Sequence, residues 1–139
     1  MASLEPAGLL LGRCLLAFLF VHEGWAKAMN YGGAVRYAQG YGVPEIFLDG
    51  AIGLELGGGL LLLGGLGTRA IGFLLAVFCV AAAAIFHHRF GDGGQLLHFE
   101  KDMAIAGGFL ILCVRGAGPW SLDRALDGWR GHGQSAPPN

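Results

Sequence analysis

Four apolar stretches, each about as long as a helix that crosses a bilayer, constrain this chain more than any other feature. A hydrocarbon core about 30 Å thick needs roughly 20 residues of helix. Residues 7–29, 46–66, 68–88 and 98–116 meet that length. Lipid offers no partner for a backbone N–H or C=O, so a span must satisfy its own groups, and a helix does so within one segment. The expected fold is therefore all-α, a transmembrane four-helix bundle. Residues 1–130 are expected to form one membrane domain, with 131–139 a disordered tail. Composition agrees: 14% of the residues are charged, against about 25% in soluble domains. The 26 glycines suit helices that approach closely in lipid. A net charge of −1 gives no reason to expect nucleic acid; the bilayer is the expected partner.

Turn residues separate the stretches. Gly42-Val43-Pro44 precedes the second, and Gly64-Gly65-Leu66-Gly67-Thr68 turns into the third with Thr68 as N-cap. Gly91-Asp92-Gly93-Gly94 divides the third from the fourth, and Gly116-Ala117-Gly118-Pro119 closes the fourth. In 121–129, Leu122, Ala125, Leu126 and Trp129 recur at i, i+3, i+4 and i+7. That pattern predicts a short interfacial amphipathic helix capped by Ser121. Ala26-Lys27-Ala28 has the small residues of a cleavage site, but Arg13 interrupts the apolar run before it, so a retained helix is expected.

Four crossings put both termini on one side. That side carries Arg69, Arg115, Arg124 and Arg130, with Arg13 close by; the other carries Lys27, Arg36, Arg89 and Lys101. The bias places both termini in the cytoplasm. The loop 30–44 then lies outside, where Tyr31, Tyr37 and Tyr41 suit an aromatic belt. Cys14, Cys79 and Cys113 stand alone in apolar runs and read as buried, inert thiols.

Each charge inside a bilayer costs roughly 2.5–3.5 kcal/mol on insertion scales, so each needs a reason. A rise of about 1.5 Å per residue places most of them in the outer half. His22, Glu23 and Lys27 end the first helix there, and Asp49 begins the second. His87 and His88 end the third, and His98, Glu100, Lys101 and Asp102 begin the fourth. Glu23 and Lys27 are four apart, the favourable order for an ion pair, and His98 and Asp102 share that spacing. The cluster reads either as closed ion pairs or as a polar pocket open to the outer face. Its expected members are Arg13, His22, Glu23, Lys27, Glu55, His87 and Glu100. Glu55 lies near mid-membrane between Gly53 and Gly57, a pair that draws a neighbouring helix close. A buried bond to Arg13 is its expected structural role; a proton-carrying or ligand-binding carboxyl is the functional alternative. His22 with His87 or His88 is a poor haem site, since all lie near the surface. No ligand-spacing motif points to a metal.

An ordered set of motifs resembles the DoxX family of small bacterial membrane proteins. It comprises Arg13, His22 through Gly24 to Lys27, Glu55-Leu56-Gly57-Gly58 with a leucine run, Gly67-Thr68-Arg69, His87 and Glu100. Gly116-x-Gly118-x-x-Ser121-Leu122-Asp123 closes it. The resemblance implies a four-helix protein of the bacterial cytoplasmic membrane. It also implies links with quinone-dependent oxidation of sulfur compounds and with membrane-associated oxidative-stress complexes. The leading functional expectation is thus a small subunit of a membrane redox system that contacts quinone and partners an oxidoreductase. Lys27 or His22 would bond a quinone carbonyl, and Glu55 or Glu100 would handle its proton. The alternatives are a non-enzymatic scaffold that recruits soluble oxidoreductases and a binding or transport protein for a small solute or proton.

Overall fold

The computed structural model describes residues 4–132. Six helices occupy the described residues: α1 (Leu4–Met29), α2 (Tyr31–Gly40), α3 (Glu45–Gly64), α4 (Thr68–Phe86), α5 (Gln95–Arg115) and α6 (Leu122–His132). Three of them, α1, α3 and α4, are long and apolar enough to cross a membrane. The fourth expected span, α5, has 21 residues, but its first turns carry Glu100, Lys101 and Asp102, which sets it apart from the other three.

The four long helices pack as a ring, α1 on α3, α3 on α4, α4 on α5 and α5 back on α1. Four small residues and five large ones fill the centre. Ala17 and Phe20 of α1 meet Leu62 of α3, Leu75, Ala76 and Cys79 of α4, and Ala106, Phe109 and Leu112 of α5. Phe20 packs edge-on against Phe109 at 5.1 Å between ring centroids. The large apolar side chains mostly point the other way: Leu11, Leu15, Phe18, Leu60, Phe73, Val77, Ile111 and Val114 are all exposed. So many exposed bulky side chains suit helices that pack in lipid, where there is no hydrophobic drive to bury leucine.

Three local features depart from the expected plan. The segment 30–44 is not an open loop, because α2 occupies most of it. Tyr37 and Tyr41 of this segment clasp Phe86 at the end of α4, with ring centroids 5.6 and 5.1 Å apart, and Arg89 stacks over Tyr41. Tyr31 hydrogen-bonds to Asp49 at 2.6 Å and Glu45 at 2.9 Å. The aromatic residues expected to line the membrane surface thus hold α2 across the bundle end. These carboxylates, Asp49 first, push the Tyr31 phenol above its ordinary range, and burial does the same to Tyr37.

Second, α3 widens into a π-helical turn over Leu54–Gly58 and resumes as α-helix. Third, Thr68 is the first residue of α4, not its cap, and its hydroxyl is buried without a partner. The carboxylate of Asp123 accepts the N–H groups of Gly67 at 2.7 Å and Thr68 at 3.1 Å in its place. Ser121 does cap α6, its hydroxyl accepting the Arg124 N–H at 3.2 Å. The expected disordered tail lies outside the described residues from 133 onward; 131 and 132 close α6.

Candidate functional site

One face of α1 carries Arg13, Ala17, Phe20, Gly24 and Lys27, spaced four, three, four and three apart. That alternation keeps a stripe on one side of a helix. The stripe is apolar or small in the middle and basic at both ends. Arg13 and Lys27 therefore stand about 21 Å apart along the axis, at opposite ends of the bundle.

At the Lys27 end, its ammonium donates to both oxygens of Glu55, at 2.8 and 3.0 Å. Glu23, one turn back on α1, lies 3.5 Å from the same nitrogen. Glu55 is 3% exposed, whereas the Lys27 side chain is 30% exposed and Glu23 51%. The pair is buried from the carboxylate side and reachable from the lysine side. The approach of the two helices is set by Gly24. A Cβ there would sit 2.9 Å from the Glu55 Cβ and 2.9 Å from the Leu56 Cγ, so any side chain at this position would drive α1 off the carboxylate. The π-turn spans Glu55, a distortion often found at functional positions. Gly53 and Gly57, the residues expected to bring the helices together, meet nothing; the close approaches are at Gly24 and at Gly59, against Val21 and Ala17.

A second polar group sits where α4 ends and α5 begins. His87 Nε2 lies 3.8 Å from Asp102, its Nδ1 pairs with the Gln95 side chain at 3.1 Å, and its ring stacks on His98 at 5.1 Å. Asp102, not Glu100, faces inward: Asp102, Ala106 and Phe109 share one side of α5 at i, i+4 and i+7, and Glu100 is exposed. The two groups share one end of the bundle, where Tyr37, shortly after α1, meets Phe86 at the end of α4, and so form one neighbourhood. His22 is turned outward, 65% exposed and stacked on Phe18. Among the described residues no three His, Cys, Asp or Glu side chains gather closely enough to hold a metal ion.

Arg13 does not join this neighbourhood. The expected bond between Arg13 and Glu55 is replaced by two others. Arg13 is buried and donates to the carbonyl of Ala117 at 2.6 Å and that of Trp120 at 2.9 Å. These carbonyls belong to the turn after α5, which leaves backbone acceptors unpaired that a guanidinium satisfies better than a distant carboxylate would. Gly65, at φ 69°, lets the α3–α4 turn pass against Arg13 and Ser121, where a Cβ would come within 2.7 Å of the guanidinium. With the Asp123 cap on α4 and the Asp123 N–H donating to the Gly65 carbonyl at 2.9 Å, this end is a tight knot. Arg13, Gly65, Thr68, Ser121 and Asp123 are its parts.

Most of the ordered motifs thus fall into two sets, one closing the knot and one building the polar neighbourhood, with His22 and Glu100 outside both. The DoxX family model matches residues 8–88. The chain belongs to the DoxX family. It is similar to the inner membrane protein YqjF of Escherichia coli strain K12, with 41% identity over 91% of this chain and 98% of that protein. It is also similar to the inner membrane protein YphA of the same organism, with 33% identity over 86% of this chain and 91% of that protein. No solved structure matches it. The matched segment ends at residue 88 and so includes Lys27, Glu55 and His87 but not Asp102 or Asp123.

Proposed function

We propose that this DoxX-family chain is an integral protein of the bacterial inner membrane. It crosses the bilayer four times with both termini in the cytoplasm, and serves as a small subunit of a membrane redox system whose quinone contacts Lys27. The inner membrane named for its two relatives supports the location. The ring packing and the 21 residues of α5, about 31 Å of helix, support the fourth crossing. In that arrangement Lys27, Glu55, His87 and Asp102 all lie toward the outer leaflet, as the arginine bias predicts.

One observation carries the functional reading: a partly exposed ammonium sits between a fully buried carboxylate and a loosely held exposed one. Glu55 takes two short hydrogen bonds from Lys27, while Glu23 stands off at 3.5 Å. The Glu23 position is the exchangeable one, and a quinone carbonyl arriving there would accept the hydrogen bond that Glu23 holds weakly. A quinone supplies two-electron carriage between partners; this chain supplies the donor at Lys27 and a carboxyl at Glu55 able to hold a proton. Electrons would come from an oxidoreductase subunit.

The scaffold reading also has an observation in its favour, since both Glu55 oxygens are already satisfied and the pair would lock α1 to α3 without any ligand. Labelling the purified protein with a photoreactive short-chain quinone separates the two. Adducts on 22–29 or 98–105 that vanish in Lys27→Met support quinone contact. Labelling scattered over the lipid face, unchanged in that variant, supports the scaffold.

A further inference from the structure

The knot end carries a feature that neither the ion pairs nor the redox reading uses. A groove of about 680 Å³ opens between the start of α4, the end of α5 and the first turns of α6. Arg69, Arg115 and Arg124 line it from these three helices, together with the turn from Gly116 to Pro119. We infer that this groove binds the phosphate-bearing headgroup of an anionic lipid.

The charges in the groove are unequally committed. Asp123 is spent on the N-terminus of α4, where it caps Gly67 and Thr68. Asp127 is the other acid on the lining. Arg115 pairs with Glu5, but both side chains are more than half exposed, and an exposed pair of this kind exchanges readily for a better anion. Arg69 makes one long contact, to the Cys113 carbonyl at 3.4 Å. Arg124 has no ion-pair partner among the described residues. Three guanidiniums with loose engagements around one cavity fit a phosphate, whose oxygens take forked hydrogen bonds from arginine.

The surroundings point to a lipid as the carrier of that phosphate. Trp120, Leu122, Leu126 and Trp129, close in sequence to the lining residues Pro119, Ser121, Asp123, Arg124 and Asp127, are all exposed. Exposed tryptophan and leucine next to arginine are what a helix lying in a headgroup layer presents. The groove opens where α4 starts and α5 ends, which is the level of the headgroups if these helices cross. Basic pockets between helix ends hold anionic headgroups by the same chemistry. The inference does not depend on whether Lys27 meets a quinone.

The test uses the full chain purified in dodecylmaltoside and thermal unfolding as readout. Dioctanoyl-phosphatidylglycerol should raise Tm saturably, while dioctanoyl-phosphatidylcholine and inorganic phosphate at equal concentration should not. Arg124→Gln should raise the half-saturating concentration about fivefold, and adding Arg115→Gln should raise it again by a similar factor. Arg36→Gln, at the other end of the molecule, should leave it unchanged. Arg124→Gln alone carries the test if the double variant does not fold, since that side chain makes no hydrogen bond or ion pair among the described residues. Equal stabilisation by phosphatidylcholine would overturn the inference, as would an unchanged half-saturation in Arg124→Gln or an equal loss in Arg36→Gln. A full shift with inorganic phosphate alone would overturn the lipid as the source.

Discussion

Replacing Lys27 by Met removes the only cation that touches Glu55 among the described residues. Its carboxylate, 3% exposed, would then face α1 across Gly24 with no ammonium and with Glu23 as the nearest charge. Breaking a buried ion pair by deleting one partner costs about 3–5 kcal/mol. Lys27 is itself 30% exposed, so water reaches the pair from one side, and the lower end of that range, about 3 kcal/mol, is expected. Replacing both partners with apolar residues, Lys27→Met with Glu55→Leu, leaves no buried charge and should cost about 1 kcal/mol or less. Glu55→Gln is the intermediate case, since it keeps one oxygen that accepts from Lys27. Reversible unfolding in mixed dodecylmaltoside and SDS micelles would measure all three, with Glu55→Leu completing the cycle. A coupling energy of about 2 kcal/mol or more is expected. Single-variant effects that add to within about 0.5 kcal/mol would mean the residues act independently and would refute the reasoning.

Gly24→Ala should destabilise by about 1–3 kcal/mol in the same assay, because its Cβ has no room against Glu55 and Leu56, whereas Gly12→Ala, which meets nothing, should be near neutral. Asp123→Ala should cost about 1–2 kcal/mol through the lost cap on α4, and limited proteolysis should then cut between α5 and α6 sooner than in the parent. Reporter fusions at 92 and at 139 should report opposite faces, the first periplasmic and the second cytoplasmic; the same face for both would show that α5 does not cross.

The helical layout was legible because its signals are strong and local. Long apolar runs closed by glycine-rich turns mark α1, α3 and α4, and the 3.6-residue recurrence of Leu122, Leu126 and Trp129 marks α6. The helix α2 was not legible. Its ten residues include three glycines and no apolar run, and what holds it is tertiary, the clasp of Tyr37 and Tyr41 on Phe86. The partner of Glu55 is decided by height and not by face: Arg13 and Lys27 share one stripe of α1 about 21 Å apart, and Glu55 is level with Lys27. Face does decide on α5, where Asp102 rather than Glu100 is in register with Ala106 and Phe109. The turn carbonyls of Ala117 and Trp120 that claim Arg13 belong to backbone more than 100 residues away, and no spacing rule reaches that far. The two glycines chosen for close approach failed for the same reason: Gly53 and Gly57 form a pair in sequence, but the contact depends on which face α1 presents, and that face is Gly24.

Quinone content tests the central claim most directly. The protein is extracted gently from membranes, and its bound quinone is quantified by mass spectrometry of an organic extract against protein concentration. Quinone close to one per chain in the parent, retained in Arg36→Gln and lost in Lys27→Met, is the predicted result. Quinone at the level of a membrane protein of similar size and unrelated sequence, or equal amounts with and without Lys27, would contradict it.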